Sequence, residues 1–131
     1  MHSKNVIHRD IKSLNILMNS QGEIKVADMG MSAFNEDWQT YRKTRAGTAF
    51  WQAPEILNGR SYTKNVDVYS FGCLAYEVAT GHPPHANVDH KNVAKLILSG
   101  QLPEPISEEQ YSNLFWHLIT VCLSFKPTQR P

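Results

Sequence analysis

His8-Arg9-Asp10-Ile11-Lys12-Ser13-Leu14-Asn15 is the stretch on which the reading of this chain turns. Asp10 is a carboxylate in a polar, irregular segment, with a basic residue two positions on. A carboxylate so placed can orient a hydroxyl or accept its proton. Lys12 can neutralise charge that develops on a transferred group. Immediately downstream, Ile16-Leu17-Met18 and Glu23-Ile24-Lys25-Val26-Ala27 flank Asn19-Ser20-Gln21-Gly22, two apolar runs around a glycine-containing turn. This pattern predicts a β-hairpin. In its second run Ile24 and Val26 alternate with Glu23 and Lys25, which predicts one buried and one wetted face. Asn15 opens the first strand and Asp28 follows the second, so antiparallel pairing brings the two ends together. An amide oxygen and a carboxylate oxygen are hard donors suited to Mg²⁺. Gly30 is expected to free the backbone to change direction there.

Outward from this stretch, the 131 residues amount to one ordinary domain or a piece of a larger one. With 41% hydrophobic and 19% charged residues, the chain has material for a core and is unlike a disordered tail. Its net charge of +1 gives no case for nucleic acid held by bulk charge or for a polybasic membrane patch. No apolar run reaches the length of a membrane span, and the first residues lack the apolar stretch of a signal peptide. A cytoplasmic location is therefore expected. Cys73 and Cys122 are far apart, which suits a reducing compartment better than a disulfide scaffold.

Residues 31–52 are polar and aperiodic and read as a long loop, of a length that is usually functional or disordered. The remainder reads as helices. Residues 67–79 are apolar nearly all round a helical wheel, which predicts a helix buried on all sides. Gly81 is its expected stop, before Pro83 and Pro84. A shorter helix is predicted over 92–98, and one with a single apolar face over 108–125. His82, His85 and His90, with Asp89, are the residues for a metal cluster, but Pro83 and Pro84 interrupt them and solvated loop residues are the better reading. Cys73 reads as a small core residue.

Taken together, His8–Asn15 resembles the catalytic loop of eukaryotic protein kinases. Asp28-Met29-Gly30 is similar to that family's Asp-Phe-Gly metal motif. Ala53-Pro54-Glu55 matches the close of its activation segment, Asp67-Val68-Tyr69-Ser70-Phe71-Gly72 the start of its central helix, and Lys126–Pro131 the segment before its last helix. The motifs run in family order over essentially the whole chain. The fold class implied is α+β: a protein-kinase-like C-terminal lobe, mainly α-helical, with a short β-hairpin carrying the catalytic loop and metal motif. Residues 1–131 would be a partial kinase domain, without the N-terminal lobe and last helix, and 28–55 its activation segment.

The resemblance also implies roles. Asp10 would be the catalytic base and Lys12 would contact the γ-phosphate of ATP. Asn15 and Asp28 would hold Mg²⁺, and Leu17 would lie under adenine. Arg9 would pair with a phosphate on the activation loop, placed by an upstream kinase on Thr40, Tyr41 or Thr44, with Ser32 a lesser candidate. Glu55 and Arg130 would form a buried ion pair, and Asp67 would bind the catalytic-loop backbone. Lys12 and Gly47-Thr48 look like the Ser/Thr pattern, Thr48 bridging Asp10 and Lys12, and the wording of the motifs looks most like the tyrosine-kinase-like group. The partner would be a protein substrate bearing Ser or Thr, with no nucleic acid or membrane. Met29 stands for the family's Phe, where its thioether is expected to fill the same apolar socket. Gln52 replaces a common Met near the substrate.

The family's Gly-rich loop, its Val-Ala-Ile-Lys lysine and that lysine's Glu partner do not occur in these residues. The 131 residues alone are therefore expected to be inactive. The alternative is a non-catalytic truncated lobe acting as a protein-interaction scaffold. A pseudokinase remnant is disfavoured by the intact Asp10, Lys12, Asn15 and Asp28.

Overall fold

A computed structural model describes residues 1–34 and 49–131. The sites Thr40, Tyr41, Thr44 and Thr48 lie outside the described residues. Among the described residues, two small antiparallel sheets and four α-helices are formed. β1 (Val6–Ile7) pairs with β4 (Ala33–Phe34), and β2 (Ile16–Met18) pairs with β3 (Ile24–Val26) in the register Ile16↔Val26, Leu17↔Lys25, Met18↔Ile24. The helices are α1 (Pro54–Leu57), α2 (Asn65–Thr80), α3 (His90–Leu98) and α4 (Asn113–Cys122).

The hairpin forms because its turn is built from local polar groups. The Asn19 side-chain oxygen accepts from the Gln21 and Glu23 amides at 3.0 and 2.9 Å, and Gly22 takes the φ of 81° that the turn requires. The expected buried face is absent, however. Ile24 is 65% exposed and Val26 42%, and Leu17 and Met18 are also exposed. A two-residue period needs a layer against one face, and none of the described residues supplies it. The long-loop reading of 31–52 is corrected at both ends. Ala33–Phe34 is a strand, and Ala49–Trp51 is a turn of 3₁₀ helix.

α2 is the axis of the molecule. It runs two residues beyond the predicted start and ends at Gly81, whose left-handed φ of 81° lets its N–H close on the Glu77 carbonyl. Val66, Tyr69, Cys73 and Tyr76 are buried, together with Ile7, Val93, Ile97, Ile106, Ile119 and Leu123. Burial pushes the Cys73 thiol and the Tyr69 phenol well above their ordinary values, so both stay protonated. α2 is not covered on every side, since Phe71 and Val78 are exposed. α4 crosses it closely at Gly72, where an added Cβ would lie 2.8 Å from the Cβ of Cys122. α4 begins at Asn113, not at 108, because Ser112 caps it by accepting from the Phe115 amide. α3 begins at His90, capped by Asp89.

Glu55 and Arg130 form the expected buried pair. The two guanidinium nitrogens donate to the two carboxylate oxygens at 2.6 and 3.0 Å, in the bidentate geometry that suits a planar fork. Arg130 also donates to the carbonyls of Ser124, Asn65 and Phe125, and it stacks 5.0 Å over the Tyr69 ring. One side chain thereby locks the chain end to the starts of α1 and α2.

Candidate functional site

The site is assembled on a loop that α2 holds from below. Asp67, buried in the first turn of α2, accepts the His8 and Arg9 amides on its two carboxylate oxygens, each at 2.8 Å. Consecutive amides normally diverge. Here both point at one carboxylate, and Arg9 itself takes a left-handed φ of 68°. Holding a non-glycine residue in this region costs roughly 1–2 kcal/mol, offset by two hydrogen bonds to a carboxylate. His2 adds a third donor to Asp67 at 2.8 Å.

His8 is fully buried and joins the two halves of the site. Its Nδ1 accepts from the Asp10 amide at 3.3 Å, so Nε2 carries the proton and donates to the Ala27 carbonyl at 3.1 Å. Opposite, the Ala27 amide donates to the Asn15 carbonyl at 2.8 Å, which extends the hairpin ladder by one rung. The catalytic-loop residues and the end of β3 are therefore tied together twice.

Asp10, Lys12 and Asn15 converge. The Lys12 ammonium donates to Asp10 Oδ2 at 2.8 Å, and the Asn15 amide nitrogen donates to that oxygen at 2.9 Å and to the Asp10 carbonyl at 2.7 Å. Both amide hydrogens of Asn15 thus face Asp10, which turns its oxygen the other way. Asp28, next along from Ala27, has φ 60° and is exposed. Its Oδ1 accepts from the Gly30 amide at 3.1 Å. Gly30 does not supply the expected left-handed backbone. Its φ is ordinary, but a Cβ at Gly30 would sit 3.0 Å from that carboxylate oxygen. The residues fit a divalent cation on their donor chemistry, an oriented amide oxygen on one strand end and an exposed carboxylate on the other. Leu17 is 57% exposed on the first strand.

One further expectation needs adjustment. Met29 is 50% exposed and fills no apolar socket among the described residues. Its thioether accepts from the Ser32 hydroxyl at 3.6 Å. Arg9 reaches the Met31 carbonyl and, at 3.0 Å, the Tyr62 hydroxyl. The histidines 82, 85 and 90 form no metal-holding group among the described residues. His90 instead packs edge-on against Phe50 at 5.1 Å. No helix among the described residues is long and apolar enough to cross a membrane.

Glu77 escaped the sequence reading. It lies three turns along α2 from Asp67 and accepts from Ser13 Oγ at 2.7 Å and from Trp51 Nε1 at 2.9 Å. An acid within an otherwise apolar helix was its one local signal, and both partners lie far off in sequence.

With the geometry in hand, comparison with known proteins agrees. The profile of the protein kinase domain matches residues 1–131. The serine/threonine-protein kinase KIC1 of Saccharomyces cerevisiae is 38% identical over 99% of this chain and 12% of its own length. The serine/threonine-protein kinase fray1 of Dictyostelium discoideum is 41% identical over 100% of this chain, and PAK 1 of Mus musculus 37% over 99%; each is matched over 24% of its own length. The chain thus spans a quarter or less of these Ser/Thr kinases. The carboxylate, lysine and asparagine gathered on an α2-anchored loop, and a match running from the first residue to the last, lead to one assignment: the chain belongs to the protein kinase domain family, and its curated relatives are Ser/Thr kinases.

Proposed function

We propose that this chain is the catalytic-loop portion of a Ser/Thr protein kinase, transferring the γ-phosphate of ATP to Ser or Thr hydroxyls of proteins. The observation that carries the reading is the convergence of Lys12 and Asn15 on one oxygen of Asp10. Those two bonds fix the Asp10 carboxylate in place and leave Oδ1 as the oxygen to meet an incoming hydroxyl. MgATP, when bound, supplies the phosphoryl group and part of the charge that screens it. Asp10 orients the acceptor hydroxyl and takes its proton. Lys12, already beside that carboxylate, supplies positive charge where negative charge accumulates on the γ-phosphoryl oxygens. Asn15 and Asp28 offer the oxygen donors for Mg²⁺, and Leu17 offers an apolar surface for adenine. Such transfer depends mainly on positioning and electrostatics, which these side chains provide. The tyrosine-kinase-like placement rests on motif wording alone. Phosphorylation at Thr40, Tyr41 or Thr44 by an upstream kinase belongs to the same proposal.

The reading divides into two tests. The 131 residues alone are expected to give no Mg²⁺-dependent transfer above an Asp10→Ala control, because a nucleotide buried on one side only is weakly held. The exposed Leu17, Met18 and Ile24 support that expectation. A longer product with an in-frame Gly-rich loop and lysine ahead of Met1 is expected to phosphorylate Ser/Thr peptides and to lose activity by roughly 10³-fold or more on Asp10→Ala. Labelling by the 131 residues that vanishes in Asp10→Ala would refute the first expectation. An active long form indifferent to Asp10→Ala would refute the second.

A further inference from the structure

Asp67, Ser70 and Glu77 lie on one stripe of α2, at spacings of three and seven residues. Each is used to hold a separate piece of the site. Asp67 takes the catalytic-loop amides. Ser70 donates to the Trp51 carbonyl at 2.8 Å. Glu77 takes two side chains at once, Ser13 Oγ–H on Oε1 and Trp51 Nε1–H on Oε2. Ser13 lies between Lys12 and Asn15, and Trp51 lies two residues before Ala53-Pro54-Glu55. We propose that Glu77 is a positioning residue, a strut that sets the catalytic loop against the segment preceding Ala53 through its paired bonds to Ser13 and Trp51. The kinetic part of this proposal rests on the phosphoryl-transfer reading above; the structural part does not.

The chemistry favours a strut over two incidental contacts. An indole N–H can only donate, and a partly buried one needs an acceptor. A carboxylate with one oxygen for each partner joins two separate loops without choosing between them. Trp51 is gripped twice by α2, at its carbonyl by Ser70 and at its ring by Glu77, so the ring has little freedom to absorb a displacement. Movement of Ser13 is therefore passed through Glu77 to Trp51. Neither Glu77 nor Trp51 is placed to react. Their role is alignment, where an error of about 1 Å is worth up to 10²-fold in rate.

The test uses the full-length kinase of which these residues are proposed to be part. Glu77→Leu is expected to lower kcat for a peptide roughly tenfold while leaving the KM for MgATP within about twofold. Glu77→Gln is expected to recover most of that loss, since its amide oxygen still accepts from the indole and its NH₂ donates to Ser13 Oγ. Ser13→Ala and Trp51→Phe each break one joint of the same strut, so the double variant is expected to be no slower than the slower single. Multiplying effects, a raised KM for MgATP alone, or no rescue by glutamine would overturn the positioning role. A second measurement needs no turnover. Hydrogen exchange of the Trp51 indole N–H, followed by NMR, is expected to accelerate about threefold or more in Ser13→Ala, at a distance and through Glu77. Unchanged exchange would sink the strut itself. An inactive parent enzyme would instead remove the kinase reading and leave the exchange result to decide the strut.

Discussion

Helix α2 and the β2–β3 hairpin both carry apolar side chains, and the fold treats them in opposite ways. α2 keeps Val66, Tyr69, Cys73 and Tyr76 at 6% exposure or less, whereas the hairpin leaves Leu17, Met18 and Ile24 at 57% or more. Both carry parts of one site. The hairpin contributes Asn15 and Asp28 at its ends, and its shape comes from local turn chemistry and three paired rungs. α2 anchors the His8–Asn15 loop through Asp67 and Glu77, while the end of β3 holds the same loop through Ala27. The Asp10 carboxylate is thus held by Lys12 and by Asn15 at the hairpin's start, on a loop that the packed helix anchors from below. An apolar strand beside a site is no measure of how firmly the site is held.

The comparison can be broken from the helix side first. Arg130→Met is expected to destabilise the fold by about 3–5 kcal/mol, because Glu55 is left as a buried charge without its partner. Urea unfolding followed by circular dichroism measures this, and a loss below 1 kcal/mol would show that the α1–α2 junction is held by other means. Asp67→Ala comes next. It strands the His8 and Arg9 amides, at roughly 1–3 kcal/mol each, and should accelerate exchange of those two amides well before global unfolding. If they stay protected, the loop is not anchored through α2. Gly72→Ala forces a Cβ against Cys122 and is expected to lose about 1–3 kcal/mol through overpacking between α2 and α4. An unchanged melting midpoint would mean that the crossing is looser than 2.8 Å suggests. Smallest of all, Ile24→Thr on the hairpin is expected to stay within about 0.5 kcal/mol, since an exposed side chain loses little. A drop of several kcal/mol there would show that the hairpin face is covered after all, and the contrast between the two regions would fail.

Part of the candidate site was legible from residue type and order. Asp10, Lys12, Asn15 and Asp28 were singled out as charged and oxygen-donating groups, the first three converge, and the hairpin between Asn15 and Asp28 is written in Asn19–Gly22. Glu55 with Arg130, and Asp67 with the catalytic loop, followed from the same family order. Burial was not legible. Alternation in β3 indicates two faces but not whether anything packs on one of them. A helix apolar all round was expected to be wholly enclosed, and Phe71 and Val78 are not. Met29 was assigned a socket on grounds of bulk, and the Asp28–Gly30 turn leaves it half exposed. Glu77 was passed over because its partners, Ser13 and Trp51, are 64 and 26 residues away in sequence.

The sequence by itself determined which chemical groups this protein has, their order, and the two turns that local hydrogen bonding can make, since these depend on neighbours along the chain. Only the tertiary structure decided which acid grips which loop. Asp67 and Glu77 are chemically alike on one helix, and what separates an anchor for two backbone amides from a strut between two side chains is the set of donors that folding delivers to each.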